Sequence, residues 1–320
     1  MEIITNPSQV EIKKAAQALK DGHLVAFPTE TVYGLGADAT NEKAVARIYS
    51  VKARPTNHPL IVHISSINQL GKWAIDIPEY ARKLAKDFWP GPVTLILKRS
   101  EIAKDFITGG QENVGVRVPS HPVALALMNE FKKLGGLGVA APSANRFGAI
   151  SPTSTEAIKD GISEYLASED FILDGGQPQV GIESSIIDCT DIYPKILRPG
   201  VITQNMIIAS TGLKTTIENK ASDIRVSGLM KRHYSPKAQL VIGTNASESE
   251  GFLALSSEPT PAGSVRLASP DSVDEFAQQM YEAIRKGDLL GLKKIIVSPP
   301  QGNGVASAIR DRLTRASTSE

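Results

Sequence analysis

The chain has 320 residues, of which 41% are hydrophobic and 22% are charged, as is typical of a folded globular protein of about two domains. A single cysteine excludes a disulfide framework, and the lack of any apolar run near ~18 residues excludes a membrane-spanning helix. A formal net charge of +1 excludes general basicity, so any anion site must arise from local clustering of cations.

Apolar runs and capping residues predict alternating helices and strands from the start of the chain. A first helix is expected between a cap at Asn6-Pro7 and an end at Gly22, and Asn41 is expected to cap a second helix. Most apolar runs are continuous rather than alternating, which indicates a sheet covered on both faces. The predicted strands are LVAF (24–27), LIVHI (60–64), VTLIL (93–97), VGVRV (114–118), LGVAA (137–141) and SIIDC (185–189), with further helices at 78–88 and 122–133.

A polar stretch without clear periodicity divides the chain into two units. We predict a catalytic domain over 1–212, a linker over 213–237 and a small C-terminal domain over 238–320. The last of these reads as a small βαβ-like unit, with strands at 238–243, 251–255 and 292–297 and helices at 271–286 and 304–315.

FPTETVYGLGADA contains an apparent dinucleotide-binding fingerprint. Gly34, Gly36 and Ala39 fit the pattern G-x-G-x-x-G/A. Such a loop must run directly from a strand into a helix and be followed by an acidic residue for the ribose. Here the next predicted helix begins only near Asn41, and a basic stretch follows it. We therefore interpret the glycines as turn positions close to a ligand.

Hydroxyls and cations collect at the predicted strand ends. Thr29 and Thr31 point to one side if PTET is extended. Lys52 and Arg54 precede a buried strand on a proline-stiffened loop, where they form either an anion clamp or a solvated basic loop. Arg117 lies within an apolar strand and must therefore meet a carboxylate, of either the protein or a ligand.

Small polar residues complete this pattern. Ser143 and Asn145 follow the strand LGVAA, and Ser184 precedes another strand. His63 lies in a strand, either packed in the core or facing a ligand. Together these residues predict a pocket for an anionic, phosphorylated ligand, in which no protein side chain acts as a nucleophile.

Other reactive groups carry no clear signal. Cys189 lies in an apolar stretch and is expected to be a packed core thiol. The five histidines are scattered, and no cluster has zinc-site spacing. The N-terminal segment lacks the basic and apolar regions of a signal peptide, so we expect a cytoplasmic protein.

Together the motifs PTETVYGLG, KARP, FWPGPVTLIL, VGVRVP, APSAN, GIESSIID and LRPG resemble the YrdC/Sua5 family over about residues 8–210. MKRHYSP, ALSSEP and DRLTRA extend the resemblance to the two-domain Sua5 type. The resemblance implies an α/β fold, with a twisted mixed sheet around a large concave cavity and a small Rossmann-like C-terminal domain. It also implies synthesis of threonylcarbamoyl-AMP and diphosphate from L-threonine, bicarbonate and ATP. A separate complex would use the product to make N6-threonylcarbamoyladenosine at tRNA position 37.

The resemblance also implies roles for individual residues. The K-x-R and S-x-N signature falls on Lys52, Arg54, Ser143 and Asn145, as catalytic residues. Threonine contacts fall on Thr31, His63, Arg117, Ala141 and Ser184. ATP contacts fall on Arg54, His58, Asn113, Ser143, Ser151, Arg198 and Tyr234. Mg²⁺ is expected to arrive with ATP, with no protein ligands and no organic cofactor.

The sequence departs from the family pattern at His58, Asn113 and Phe147, where the family commonly has other residues. MKRHYSP is expected to act as a lid through Tyr234 and Arg232, the alternative being a plain spacer.

Two other functions remain open. One is an RNA-binding module using the basic concave face. The other is a carbamoyl-transfer enzyme of the hydrogenase-maturation type, which would require zinc-finger segments for which one cysteine does not suffice.

Overall fold

The structure, a computed structural model, describes residues 1–217, 224–228 and 233–318. Its first unit contains eight helices among these residues: α1 Gln9–Lys20, α2 Glu42–Lys52, α3 Leu70–Trp73, α4 Glu79–Phe88, α5 Asp105–Thr108, α6 Pro122–Lys133, α7 Thr155–Ile162 and α8 Gln204–Thr211. Its strands are β1 Glu2–Thr5, β2 Val25–Phe27, β3 Gly34–Asp38, β4 Ile61–His63, β5 Val93–Lys98, β6 Asn113–Arg117, β7 Val139–Ala140, β8 Phe171–Asp174, β9 Ser185–Asp188, β10 Lys195–Arg198 and β11 Thr216–Ile217.

These strands form one mixed sheet in the order β1-β8-β2-β3-β7-β4-β6-β5-β9-β10-β11. The sheet contains parallel pairs such as β4–β6 and β5–β9 and antiparallel pairs such as β3–β7 and β5–β6. Strands β2 and β9 are buried along their whole length, as their continuous apolar runs predict, and β3, which was not predicted, is buried in the same way. The mixed α/β fold is therefore confirmed.

The N-terminal caps of α1 and α2 test the helix starts that were predicted from the sequence. Asn41 accepts a hydrogen bond from the Ala44 amide and caps α2, as predicted. The predicted cap at Asn6-Pro7 is wrong, because Ser8 caps α1 through a capping box with Glu11. The Ser8 and Glu11 side chains each satisfy a free backbone amide, a stronger signal than a lone Asn-Pro.

The glycines of the apparent fingerprint lie in a strand, so their interpretation as turn positions is wrong. Gly34 and Gly36 belong to β3, which pairs with β2. A Cβ on Gly36 would lie 2.8 Å from both Phe27 and Val139, so glycine here permits close strand packing. Helix α2 begins only at Glu42, which is incompatible with a dinucleotide loop.

The second unit has a parallel sheet in the order β12-β15-β13-β14. Its elements are β12 Gln239–Ile242, β13 Gly251–Leu253, β14 Val265–Ala268, β15 Lys294–Val297, α9 Val273–Leu289 and α10 Val305–Ser317. Val32 and Ile182 of the first unit share a hydrophobic cluster with Phe276 and Leu313, so the two units are packed together.

Six strands were not predicted: β1, β3, β8, β10, β11 and β14. None of the helices in the described ranges is long and apolar enough to cross a membrane.

Candidate active site

A cavity opens where several strands of the large sheet begin or end. His63 and Arg117 are the last residues of the paired parallel strands β4 and β6, and they lie opposite each other in register. Ala141 and Ser143 follow β7, and Ser184 precedes β9. The cavity lining includes Thr29, Thr31, His63, Arg117, Ala141, Ser143, Ser184, Arg198 and Tyr234.

A buried ion pair forms part of this wall. The Arg117 guanidinium donates to the Glu30 carboxylate at 2.6 Å and to the Thr31 hydroxyl at 3.0 Å. Burial acts to raise the pKa of Glu30, but the charge and hydrogen bonds of Arg117, with the Ser120 amide, lower it overall. The partner of Arg117 is thus a protein carboxylate, while its buried Nε has no hydrogen-bond partner within the structure described.

The PTET segment is a turn rather than an extended strand. The Thr29 hydroxyl donates to the Val32 carbonyl at 2.6 Å and lies 2.8 Å from the Thr31 hydroxyl. Both side chains nevertheless line the cavity, as the sequence suggested. The turn also positions Glu30, which sequence reasoning missed because no local signal links it to Arg117, 87 residues away.

His63 is buried beside this ion pair. Burial, followed by the charge of Arg117, lowers the pKa of His63 to about 3, so its imidazole is neutral at pH 7. Its Nδ1 is buried and unpartnered among the described residues, while its ring meets the Phe27 ring edge-on at 6.2 Å. A neutral imidazole with a free nitrogen can accept or donate one hydrogen bond to a ligand.

On the neighbouring wall, Arg198 holds Ser184. Arg198 donates to the Ser184 carbonyl at 3.0 Å and to its hydroxyl at 3.1 Å. The Thr94 hydroxyl lies 2.9 Å from the same Ser184 oxygen. These contacts fix the Ser184 hydroxyl at the cavity surface.

Lys52 and Arg54 are both buried, so a solvated basic loop is excluded. The Lys52 ammonium donates to the Ser143 carbonyl at 2.5 Å and also to the Asn145 carbonyl. Burial, together with the charges of Arg54 and Arg146, lowers the pKa of Lys52 well below its usual value. Lys52 therefore shapes the loop that carries Ser143 and Asn145.

Arg54 holds the turn that follows it and begins a row of rings. It donates to the Pro59 carbonyl at 2.9 Å, and its guanidinium lies 5.5 Å from the centre of the Phe147 ring. Burial lowers the pKa of Arg54 to about 10. Phe147 meets His58 on one side at 5.1 Å and His233 on the other at 6.4 Å.

The described parts of the linker form part of the cavity wall. Ser227, His233 and Tyr234 line it, and Arg198 donates to the Ser227 carbonyl at 2.9 Å. Tyr234 has a positive φ of 63° and a buried hydroxyl without a described partner. Arg232, the other residue predicted to reach the nucleotide, lies outside the described residues.

Four predicted ATP contacts do not line this cavity, namely Arg54, His58, Asn113 and Ser151. Asn113 lines a neighbouring small cavity together with residues 224–227. The Ser151 hydroxyl donates to Glu183 at 2.6 Å. His58 packs against Phe147. Their assignment as ATP contacts stays a prediction.

Cys189 is buried, and burial raises its thiol pKa well above the usual value, which agrees with a core residue. Among the residues whose positions are described, no group of three or more His, Cys, Asp or Glu side chains could hold a metal ion.

Comparisons with known proteins cover both units. Residues 17–200 match the model of the Sua5, YciO and YrdC family, described as "Telomere recombination". Residues 202–318 match the model described as "Threonylcarbamoyl-AMP synthase, C-terminal domain".

Full-length relatives agree with these matches. The chain is 37% identical over 326 residues to the threonylcarbamoyl-AMP synthase of Pyrococcus abyssi, covering 96% of this chain and 94% of that one. It is 38% identical over 337 residues to that of Bacillus subtilis, covering 98% and 94%. The crystal structure of P. abyssi Sua5 complexed with L-threonine superposes with a TM-score of 0.89 at 36% identity, covering 99% of this chain and 97% of that one.

Proposed function

Because the chain belongs to the Sua5/YrdC family, we propose that it is a threonylcarbamoyl-AMP synthase, which forms threonylcarbamoyl-AMP and diphosphate from L-threonine, bicarbonate and ATP. The enzyme is then a nucleotidyltransferase, since AMP is transferred to a threonine carbamate. We further propose that it works in the cytoplasm and that a separate complex transfers the product to tRNA, forming N6-threonylcarbamoyladenosine at position 37.

One observation carries the proposal: the five side chains that the family resemblance assigns to threonine line a single cavity. Thr31, His63, Arg117, Ala141 and Ser184 come from five separate segments of the chain, and the sheet brings them together. The P. abyssi relative, which shares this fold, has been crystallised with L-threonine.

Arg117 is the proposed partner of the threonine carboxylate. Glu30 occupies only its Nη2, which leaves the buried Nε to donate to an incoming anion. Glu30 also fixes the plane of the guanidinium before substrate arrives. The Thr31 hydroxyl and the neutral His63 imidazole would then orient the rest of the amino acid.

The buried cations Lys52, Arg54 and Arg198 would balance the phosphates of ATP. All three donate to carbonyl or hydroxyl oxygens, and none of them forms an ion pair among the described residues. Mg²⁺ would be held by ATP oxygens and water, as in many nucleotide sites. The Ser143 hydroxyl and Tyr234 complete the proposed nucleotide contacts.

The chemistry needs no covalent enzyme intermediate. The neutral amine of threonine adds to the carbon of CO₂ derived from bicarbonate and loses a proton, which gives a carbamate. This proton and the hydroxide released from bicarbonate form water. A carbamate oxygen then attacks the α-phosphorus of ATP, and the bond to the β-phosphate oxygen breaks as diphosphate leaves. Arginine cannot serve as a base, so the side chains act by positioning and charge stabilisation. Water exclusion would protect the reactive product.

Purified protein with labelled bicarbonate, ATP and L-threonine tests the function. We expect threonine-dependent release of diphosphate together with labelled threonylcarbamoyl-AMP. The proposal is overturned if no diphosphate is released at any threonine concentration. Alanine in place of threonine provides the matched substrate control.

The RNA-binding alternative is not favoured, because the full-length relatives are synthases. A salt-dependent shift of RNA without ATP would be its signature.

A further inference from the structure

A buried carboxylate joins the second unit to the cavity wall. Glu183, which directly precedes Ser184, accepts hydrogen bonds from three side chains. They come from Ser151 at 2.6 Å, Arg312 at 2.9 Å and Tyr281, whose hydroxyl lies 3.0 Å from Oε2. Tyr281 lies on α9 and Arg312 on α10, so two of the three donors belong to the second unit.

We propose that Tyr281 and Arg312 are positioning residues of the synthase reaction, which hold Glu183 and thereby fix the Ser184 hydroxyl in the threonine-binding wall. This inference rests on the proposed function. It assigns the second unit a defined part in substrate binding, although neither side chain is among the residues proposed to touch substrate.

Burial makes the contact sensitive to loss of either partner. The Arg312 side chain is 0% exposed and that of Glu183 is 8% exposed. Arg312 also pairs with Asp311 at 2.7 Å and donates weakly to the Glu183 carbonyl at 3.4 Å. Removal of one member of a buried pair leaves the other charge uncompensated, so loss of Arg312 would destabilise the Glu183 carboxylate in this position.

The backbone around Glu183 is pressed against the second unit. Gly181 has a φ of +77°, and a Cβ on it would collide with the backbone of Gln278 in α9. Ile182 packs in the hydrophobic cluster of the second unit. The segment from 181 to 184 is therefore set by the second unit on one side and by Arg198 on the other.

Tyr281 allows the sharper test, because its ring and its hydroxyl have different neighbours. The ring lies 5.7 Å from that of Tyr234, whereas the hydroxyl bonds Glu183. Tyr281→Phe keeps the ring and removes one hydrogen bond to a charged group. We expect the KM for threonine to rise about three- to tenfold, with the KM for ATP changed less than about twofold.

Arg312→Met should have a larger effect, raising the KM for threonine more than about tenfold because Glu183 is left unpaired. Combining it with Glu183→Gln removes the stranded charge and should recover part of the loss in thermal stability. Arg312→Lys retains the charge and should recover part of the threonine affinity. Arg310→Met is the matched control, since Arg310 lies on α10 but donates to the Pro300 and Gly302 carbonyls.

The inference is overturned if Tyr281→Phe and Arg312→Met raise the KM for threonine and the KM for ATP equally, because the two residues would then have a merely structural role. It is also overturned if both variants raise these KM values no more than Arg310→Met does. A threonine KM within twofold of wild type in both variants would overturn it too. If the wild-type protein releases no diphosphate, the proposed function itself is overturned. The wild-type assay is therefore carried out before any variant is measured.

Discussion

The buried cations in and beside the cavity fall into two groups, and only in the first, which consists of Arg117, does a carboxylate neutralise the charge. Arg117 is paired with the buried carboxylate of Glu30 at 2.6 Å. Lys52 and Arg54 instead donate to backbone carbonyls. The paired cation is oriented in advance and carries no net charge with its partner. The others leave positive charge uncompensated, which a phosphate ligand would neutralise. The difference separates a group that orients threonine from one that attracts ATP.

Arg117→Ala should break the first group most severely. It strands Glu30 in the interior, so we expect the free energy of unfolding to fall by about 3–5 kcal/mol. Threonine affinity should fall by at least about a hundredfold, because a charge-assisted contact is lost, and ATP affinity should fall far less. Denaturant unfolding and titration calorimetry measure the two effects.

Adding Glu30→Gln to Arg117→Ala provides the control for stability. The pair should recover much of the unfolding free energy but none of the threonine affinity. Equal losses of threonine and ATP affinity in the single variant would contradict the assigned role.

Lys52→Met tests the second group. No carboxylate is stranded, so the expected loss of stability is only the cost of the two freed carbonyls, about 1–3 kcal/mol. The kcat/KM for ATP should fall by about a hundredfold, because charge stabilisation near the phosphates is lost. Denaturant unfolding and initial rates across ATP concentrations test both expectations. The distinction between the two groups fails if Lys52→Met destabilises the protein as much as Arg117→Ala.

The pH dependence of stability tests the surroundings of both groups, because His63 lies near Arg117 and His233 lies near Lys52 and Arg54. Burial and neighbouring cations lower the pKa of each to about 3. The unfolded chain therefore binds protons below about pH 6.5 that the folded chain refuses, so their contribution is complete above that pH and is lost as the pH falls towards 3.

Between pH 6.5 and 5, each buried histidine should cost about 2 kcal/mol of stability. Urea unfolding at the two pH values measures this loss, and His63→Gln or His233→Gln should each reduce it by about that amount. A comparison between pH 7.5 and 8.5, where neither imidazole titrates, provides the baseline. An unchanged pH dependence in both variants would show that these imidazoles are not buried in the neutral form.

The smallest effect is expected for Lys98→Met. Lys98 and Asp76 lie 2.7 Å apart, nearly as close as Arg117 and Glu30, but their side chains are 57% and 69% exposed. Solvent screening makes such pairs weak, so thermal unfolding should not change measurably. A clear loss of stability would mean that proximity, rather than burial, explains the sensitivity of Arg117.

Local patterns predicted the central strands, the α2 cap at Asn41 and the segments that converge on the cavity. They did not predict β3, because glycine in a strand and glycine in a turn look alike without the packing of Phe27 and Val139 around Gly36. The partners of the buried charges were also hidden. Glu30 is 87 residues from Arg117, and Glu183 is 129 residues from Arg312, so neither pair leaves a local signal.

That last separation has a consequence for synthesis of the chain. At about 5–20 residues per second, a ribosome makes Arg312 roughly 6–26 seconds after Glu183. During this interval the large sheet can pair, but the Glu183 carboxylate lacks its Arg312 partner. The cavity wall is therefore completed late, and a nascent chain that has formed most of its sheet still lacks the finished site.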